Sequence, residues 1–563
     1  MGMSRLSRLA LPPIPHAAGM SSCGSLIRAL PRVLLLLAEI PTVALAQSRD
    51  AQPNTLGSGG NAASGYDMAP ETRPEVVAAA MAQIPDKIPP GPFEPTWDSL
   101  AAHYKVPDWF RQAKFGLFMH FGLYAVPAHH NEWYKQFMYG AGLSWHTQNF
   151  GPPEVFGYKD FIPKFTLEHF DPNAWAELFK KSGAQYVIPT AQHHDNFSLW
   201  DSQYNPYNSV AMGPHRDVIA ELSKAVRAQG LKFGVSNHGI EAFQFIHLNA
   251  RLAADLKAKH ADLYDPKWAD FYLVADRSDA ACQKFLVNWV QRNEELIDKY
   301  QPDMLWFDNG VDIRYLDPLK LWIAAYYYNR AATWGKEVSI STKKAAYAPG
   351  GDNTKTIGSI IDFEKIGGRS PAGIRPGAWQ VDEPIGSTWG YTTGMRVSGA
   401  GAIIPKLVDT VSKNGNLLLN LSPMADGTFP AAQQQTLLAV GKWLSINGDA
   451  IYGTHNWIKF ADGDERGSNI RFTVKGDDLF AIIVGKWPGR DVVIKSLATG
   501  ASDGGQATSV QLLGAPGQLR FSQGSEGLTV SLPAAAPCDY AYCLKISGLK
   551  MDYPTPSPSG NPL

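Results

Sequence analysis

The sequence predicts an α/β protein in which a (β/α) barrel is followed by a C-terminal antiparallel β-sandwich. From about residue 93 to 454, short apolar runs alternate with amphipathic stretches, which is typical of a parallel sheet covered by helices. No glycine-rich phosphate turn follows the first run, so a closed barrel is favoured over an open doubly wound sheet. From 455 to 563, short β-type runs between Gly- and Asp-rich turns indicate the antiparallel module.

The predicted barrel elements follow one another along the chain. Strands are predicted over 114–120, 185–190, 231–236 and 303–308, and later strands start near 338, 359 and 416. Helices are predicted over 171–181, 217–228 and 282–300. Asp217 is the expected N-cap of the second helix and Gly230 its expected end, because a carboxylate satisfies free N–H groups and glycine tolerates a left-handed backbone.

The C-terminal module is expected to consist of short strands. They are predicted over 469–474, 479–484, 491–494, 509–513, 528–532 and 541–546. Cys538 and Cys543 are close enough in sequence to form a disulfide in an oxidising compartment, and two free thiols are the alternative. The module is expected to brace the barrel, with carbohydrate binding as the alternative role.

The N-terminal segment reads as a targeting signal. Basic residues precede the apolar run 33–38, and Ala44-Leu45-Ala46 supplies small residues for cleavage, so residues 1–46 are predicted to be a signal peptide. The chain is therefore expected to be exported, to the periplasm or outside the cell; a tail without targeting function is the alternative. Residues 47–92, rich in Gly, Ala, Pro and Ser, are predicted to be a linker or N-terminal arm. No other run approaches the length of a membrane helix.

Composition narrows the class of ligand. Lys and Arg number 51 and Asp and Glu 52, for a net charge of −1, which gives no reason to expect a nucleic-acid partner. Aromatic residues make up 11% of the chain, and several tryptophans stand beside charged or imidazole groups, as in Glu132-Trp133-Tyr134. The pattern favours an aromatic-lined site for a neutral ligand. The sequence does not reveal an oligomeric state.

Polar side chains cluster where the predicted barrel strands end. The segments concerned are His120, Gln192–Asp195, Asn237-His238, Trp306–Asp308 and Asp362–Glu364. The carboxyl ends of barrel strands form the mouth where catalysis takes place. Glycoside hydrolysis by two carboxylates suits such a mouth, because imidazoles and indoles match the hydroxyls and C–H faces of a sugar. Metal-assisted hydrolysis is the alternative, although no H-E-x-x-H spacing is present.

The motifs resemble those of glycoside hydrolase family 29, the α-L-fucosidases. They are Trp109–Tyr124, Glu132–Tyr134, Gln192–Ser202, Tyr207–Ser209, Arg216-Asp217, Leu305–Gly310, Gly415–Asn420 and Gly448–Gly453. They occur in collinear order across the predicted barrel. The resemblance implies a retaining α-L-fucosidase that acts on fucosylated oligosaccharides or glycoconjugates and needs no metal or organic cofactor.

The resemblance also implies roles for individual residues. Asp308 would be the nucleophile and Glu364 the acid/base, with Glu383 and Asp382 as alternatives, since the family's Trp-Glu pair appears here as Trp379-Gln380. The implied fucose-binding residues are His120, Glu132, Trp133, His193, His194 and Trp306, with Lys343 or Lys344 at the position of the family's arginine. His238 is added from its position after a strand, where many relatives carry tyrosines. A catalytically inactive carbohydrate-binding relative is a further alternative.

Overall fold

The computed structural model describes residues 70–344, 346–351, 356–364, 371–463, 469–500 and 505–549. The predicted signal peptide, 1–46, and the first part of the predicted linker or arm lie outside the described residues. In the part of the chain that the structure describes, no helix combines the length and apolar character needed to cross a bilayer.

The predicted (β/α) barrel is confirmed, and its eight parallel strands follow one another in sequence order. The strands are β1 (Phe115–Met119), β2 (Tyr186–Gln192), β3 (Lys232–Asn237), β4 (Met304–Phe307), β5 (Ser339–Lys343), β6 (Ile360–Glu364), β7 (Trp379–Pro384) and β8 (Gly415–Leu421). The barrel closes where Phe115 of β1 pairs with Leu417 of β8. Because helices cover the outside and side chains fill the inside, β1, β2 and β8 are buried along their whole length.

The α-helices surround the barrel or lie in its connections. They are α1 (Pro74–Met81), α2 (Trp97–His103), α3 (Asp108–Ala113), α4 (Tyr134–Met138), α5 (Leu143–Phe150), α6 (Pro172–Lys181), α7 (Val218–Ala228), α8 (Ala250–Ala258), α9 (Ala269–Tyr272), α10 (Asp279–Tyr300), α11 (Asp317–Trp334), α12 (Ala400–Ser412) and α13 (Ala431–Asn447). The expected N-cap of α7 is confirmed: the Asp217 side chain accepts a hydrogen bond from the backbone N–H of Ala220. Gly230, with φ 72°, takes the left-handed turn after that helix.

The segment expected as a linker or arm contains regular structure within its described part. Residues Pro74–Met81 form α1, which packs against α10. Val76, Val77 and Ala80 are buried there, so this part of the segment presents an apolar face to the barrel domain. The apolar face is only two turns long and follows Gly- and Ala-rich chain, which is why the composition of the whole segment concealed it.

The C-terminal module is a two-sheet antiparallel domain. Its strands are β9 (Ile470–Lys475), β10 (Asp478–Val484), β11 (Val492–Ile494), β12 (Ser509–Leu512), β13 (Phe521–Gly524), β14 (Gly527–Val530) and β15 (Ala541–Ser547). One sheet has the order β12-β15-β10-β9 and the other β11-β14-β13. Strand β13, which alternates between half-buried and exposed residues, was not predicted. Cys538 and Cys543 are free thiols, so the structure has the second of the two predicted alternatives.

The four-stranded sheet is buried on both faces. Phe480 and Ile482 of β10 belong to the core shared with the barrel. Leu479 and Ile483, which point to the opposite face, belong to the core between the two sheets of the C-terminal domain. On the barrel side, the Trp443 indole of α13 donates a hydrogen bond to the carbonyl of Ala541 at 2.8 Å. The sheet therefore joins the two domains through apolar packing.

Removing packing at this interface is expected to destabilise the protein. The variant Ile482→Ala should lower the free energy of unfolding by about 2–5 kcal/mol, because it leaves a cavity between the sheet and the barrel. The matched control Val493→Ala, at a 40% exposed side chain of β11, should change it by no more than about 0.5 kcal/mol. Urea unfolding of both variants measures the difference, and equal losses would contradict a buried interface at Ile482.

Candidate active site

The carboxyl ends of the barrel strands bring the predicted site residues to one mouth. His120 follows β1, His193 and His194 follow β2, His238 follows β3, and Asp308 follows β4. Lys343 ends β5 and Glu364 ends β6. These residues are spread over more than two hundred positions of the sequence, yet parallel strands in a closed barrel end on the same rim.

Asp308 is a buried carboxylate surrounded by cationic and imidazole groups. Its Oδ2 accepts a hydrogen bond from Nδ1 of His238 at 2.8 Å and lies 3.4 Å from Nε2 of His194. Its Oδ1 lies 3.0 Å from Nζ of Lys343. Burial by itself would raise the pKa of Asp308, but Lys343 and the two imidazoles outweigh burial and hold the pKa well below its usual range. Asp308 is therefore ionised at neutral pH.

Lys343 is the buried cation of the site. Burial disfavours its charge, but Asp308, Asp382 and Glu364 raise its pKa well above the usual range. Its ammonium lies 3.4 Å from Oδ2 of Asp382 and 3.6 Å from Oε2 of Glu364. Lys344, by contrast, forms an ion pair with Asp312 at 3.0 Å and is 38% exposed. Of the two lysines considered at the position of the family's arginine, the structure turns Lys343 toward Asp308.

The candidate carboxylates for acid/base catalysis face in different directions. Glu364 ends β6 with its side chain 20% exposed. Because Lys343 contacts both Asp308 Oδ1 and Glu364 Oε2, the sum of the two distances limits the separation of these oxygens to about 6.6 Å. Asp382 points into the barrel toward Lys343, whereas the adjacent Glu383 pairs with Lys406 of helix α12 outside it.

Three imidazoles line the mouth beside Asp308. The ring centroids of His120, His193 and His238 lie 4.9 to 5.5 Å apart. Burial lowers the pKa of all three, to about 4 for His238, so these rings are neutral at pH 7. Nδ1 of His193 is buried without a hydrogen-bond partner in the described residues. Such a group is available to a polar ligand.

The pKa of His194 is shifted in the opposite direction to those of the other three imidazoles. Burial would lower its pKa, but Glu241 and Asp308 raise it above the usual value. Its Nε2 lies 3.4 Å from Oε2 of Glu241, and its Nδ1 donates to the carbonyl of His238 at 2.9 Å. Glu241 lies in the turn Gly239–Gln244 that follows β3. The sequence motifs did not single it out.

The remaining predicted residues border the same mouth. The Trp133 ring lies 5.4 Å from that of His194, and Oε2 of Glu132 accepts a hydrogen bond from the N–H of Gly390 at 3.1 Å. Nε1 of Trp306 donates to Oδ2 of Asp362 at 2.7 Å, which holds the indole against the barrel interior. All the predicted binding residues thus lie within one connected cluster.

Among the residues that the structure describes, two sets of buried side chains have the composition of a metal site. One joins His120, His193 and His238, and the other joins His194, His238 and Asp308; in each, the donor atoms lie within 4.8 Å of one another. Imidazole and carboxylate are common zinc ligands. In the second set, His238 already donates its Nδ1 proton to Asp308, so an ion there would have to displace that hydrogen bond.

Comparison with known proteins identifies the family. A family model described as Alpha-L-fucosidase matches residues 80–449, and a model of the Alpha-L-fucosidase C-terminal domain matches 463–547. This chain belongs to the α-L-fucosidases of glycoside hydrolase family 29. Tissue alpha-L-fucosidase of Homo sapiens is 30% identical over 498 residues, which cover 82% of this chain and 93% of the relative. The Bos taurus tissue enzyme is 31% identical over 493 residues, covering 82% and 92%.

Solved structures of α-L-fucosidases share the fold. The crystal structure of the Thermotoga maritima alpha-fucosidase aligns with a TM-score of 0.63 at 32% identity, covering 81% of this chain and 100% of that one. Another structure, described as alpha-L-fucosidase, aligns with a TM-score of 0.66 at 31% identity and the same coverage. The chain is therefore a glycoside hydrolase of the α-L-fucosidase type.

Two further side chains that the sequence did not predict, Trp389 and Asn420, lie beside the candidate site of this family member. The Trp389 ring lies 5.1 Å from that of His120 and 5.3 Å from the ammonium of Lys343. Oδ1 of Asn420 accepts a hydrogen bond at 2.8 Å from Nδ1 of His120. Trp389 follows β7, a strand that the sequence analysis did not identify. Had that strand been recognised, the rule that polar and aromatic groups after barrel strands form the mouth would have singled out Trp389.

Proposed function

We propose that this α-L-fucosidase removes terminal α-L-fucosyl residues from fucosylated oligosaccharides or glycoconjugates by a retaining, double-displacement mechanism. The observation that carries the proposal is the pair of carboxylates, Asp308 and Glu364, that both contact the Lys343 ammonium. Their oxygens are no more than about 6.6 Å apart. The ~5–5.5 Å separation of retaining glycosidases lies within this limit, and most of the ~6.5–9.5 Å range of inverting enzymes lies beyond it.

In the first step, Asp308 is the nucleophile and Glu364 the general acid. An oxygen of Asp308 bonds to the anomeric carbon while the bond from that carbon to the leaving oxygen breaks. The electron pair stays with the leaving oxygen, which takes the proton of Glu364. Asp308 can attack because its pKa is held well below the usual range.

In the second step, water replaces Asp308 on the anomeric carbon. Glu364, now a carboxylate, takes a proton from the water as its oxygen bonds to that carbon. The ester bond breaks and its electron pair returns to Asp308. Two inversions at the same carbon give net retention of configuration.

The fucose subsite is proposed to use the neutral imidazoles and the indoles of the mouth. His120 and His193 each offer a ring nitrogen to a sugar hydroxyl, because burial keeps both rings unprotonated. Trp133 presents an apolar surface to the C–H face of the sugar. Glu132, His194, His238 and Trp306 complete the subsite that we propose.

Hydrolysis of an aryl α-L-fucoside tests the proposed activity directly. Purified wild-type protein should release the chromophore from 4-nitrophenyl α-L-fucoside, and the fucose released first should have the α configuration by NMR. The matching aryl β-D-galactoside serves as the control and should not be cleaved. Release of β-fucose first would contradict the retaining mechanism, and cleavage of the galactoside alone would contradict the fucose assignment.

A metal-dependent hydrolase remains the second candidate, because two sets of side chains could bind an ion. We expect EDTA to leave the rate of aryl fucoside hydrolysis unchanged, since both the nucleophile and the proton come from side chains in the proposed mechanism. Loss of activity in EDTA, restored by added Zn²⁺, would favour the metal-dependent alternative.

Two further proposals concern the parts outside the barrel. The predicted signal peptide supports export of this enzyme to the periplasm or outside the cell, and mass spectrometry of the exported protein would test cleavage after Ala46. The C-terminal domain is proposed to brace the barrel, because residues of β10 contribute to the barrel core.

A further inference from the structure

The ammonium of Lys343 lies between the two carboxylates of the proposed mechanism. Its Nζ is 3.0 Å from Oδ1 of Asp308 and 3.6 Å from Oε2 of Glu364. The side chain of Lys343 is 7% exposed, so water screens these contacts little. One buried cation is therefore in contact with both carboxylates of the proposed mechanism.

The two carboxylates exchange their negative charge between the steps. At the start of the first step Asp308 is the anion, and the proposed mechanism requires Glu364 to carry the proton to be donated. In the glycosyl-enzyme intermediate, Asp308 is a neutral ester and Glu364, having lost its proton, is the anion. The negative charge therefore moves from one carboxylate in contact with Lys343 to another, while the net charge around the ammonium stays the same.

We propose that Lys343 is a shared counter-ion, which stabilises Asp308 in the resting enzyme and Glu364 in the covalent intermediate. This inference rests on the proposed function and replaces the implied role of Lys343 as a fucose contact. A charge fixed before the reaction begins stabilises the developing charge without reorganising during the step. In each step the ammonium stabilises the negative charge that develops on the receiving carboxylate, because both carboxylates contact it.

Asp382 is a third carboxyl group in contact with the ammonium. Its carboxyl is fully buried, and neither of its oxygens accepts a hydrogen bond in the described residues. Oδ2 lies 3.4 Å from Nζ of Lys343, so this contact offsets part of the cost of burying the group. The rings of Trp306 and Trp389 lie 5.3 Å from the ammonium, which restricts the side chain further. Asp382 is thus a positioning residue.

The titratable groups around Lys343 come from several strands. They are Asp308 after β4, Glu364 and Asp362 on β6, Asp382 on β7, His120 after β1 and His238 after β3. Lys343 is the strongest of the groups that lower the pKa of Asp308. A carboxylate whose pKa is depressed loses its charge, and the enzyme its nucleophile, only as the pH falls through that low value. Without the ammonium, this loss must begin at higher pH.

The variants Lys343→Met and Lys343→Arg test the shared counter-ion, with Lys344→Met as the matched control. For Lys343→Met we expect kcat and kcat/KM for the aryl fucoside to fall by about 10²–10³-fold. The acid limb of the kcat/KM profile should move up by about 1–3 pH units. Lys343→Arg keeps the charge and should stay within about tenfold of wild type. Lys344→Met, at the exposed pair with Asp312, should match wild type.

The outcomes separate this inference from the proposed function. A wild-type protein without fucosidase activity would overturn both. An active wild type with a Lys343→Met variant that changes only KM, with an unmoved acid limb, would overturn the counter-ion alone and restore the role in fucose binding. If Lys343→Met does not fold, Lys343→Met combined with Asp382→Asn, which removes one of the crowded carboxylates, gives the same measurements. Circular dichroism establishes folding in each case.

Discussion

Replacing Asp308 with glycine should lower the turnover of an aryl α-L-fucoside by on the order of 10⁴-fold or more, because the proposed nucleophile is removed. The fold should survive, since Asp308 follows β4 rather than contributing to its pairing. The change also leaves Lys343, His194 and His238 in place around the vacated space. A pNP-fucoside assay on folded protein measures the loss. An activity within tenfold of wild type would remove Asp308 from the proposed role.

Azide provides a second measurement on the same variant. Glycine leaves room for a small anion beside the anomeric carbon, and the Lys343 ammonium and the His194 imidazole favour an anion there. Azide should restore turnover and give β-fucosyl azide, because a single displacement inverts the configuration. Asp312→Gly serves as the control, since its carboxylate pairs with the exposed Lys344. If Asp308→Gly is folded and azide does not restore its turnover, the assignment of Asp308 as nucleophile is contradicted.

Replacing Glu364 with alanine should have an effect that depends on the leaving group. Poor leaving groups need protonation, so hydrolysis of a fucosyl-oligosaccharide should slow by about 10²–10⁴-fold. An activated dinitrophenyl fucoside needs little protonation, and its glycosylation step should slow much less. A general loss of active protein lowers both kcat/KM values equally. The ratio of the two values therefore measures only the role of Glu364 as acid.

Glu383→Ala is the matched control for the acid. Its carboxylate pairs with Lys406 of α12 on the outer side of β7, so its removal should reduce both substrates equally and by a small factor. The same leaving-group dependence in Glu383→Ala, and its absence in Glu364→Ala, would transfer the acid role to Glu383. The same assay on Asp382→Asn tests Asp382, the remaining alternative for the acid.

The sequence was sufficient for the fold class and most of the barrel strands. Runs such as Phe115–Met119 are apolar and bounded by turn residues, and a parallel strand covered on both sides needs that pattern. Strand β7 was missed because Trp379–Pro384 contains Gln380, Asp382 and Glu383. Gln380 and Asp382 point into the polar barrel interior, where Nε2 of Gln380 donates to Oδ2 of Asp362 at 2.6 Å. A buried strand with polar side chains has no apolar signature to detect.

The direction of neighbouring side chains could not be read from the sequence. The sequence alone did not distinguish which of the adjacent lysines, Lys343 or Lys344, faces the barrel interior. The same was true of the adjacent acids Asp382 and Glu383. Successive residues of a strand point to opposite sides, but which side is the interior depends on the register with the next strand. In the structure Lys343 pairs with Asp362 of β6 and Asp382 with Leu418 of β8. That register places Lys343 and Asp382 in the mouth and Glu383 against α12.

The sequence by itself determined the family, the fold class and the presence of imidazoles and carboxylates at the ends of the recognised strands, because these depend on local pattern and motif. Only the tertiary structure decided which of those groups share one ammonium. Lys343 contacts Asp308, Glu364 and Asp382 from three other strands. Such contacts arise from barrel closure between segments distant in sequence, and each carboxylate acquires its charge state from neighbours that no local pattern contains.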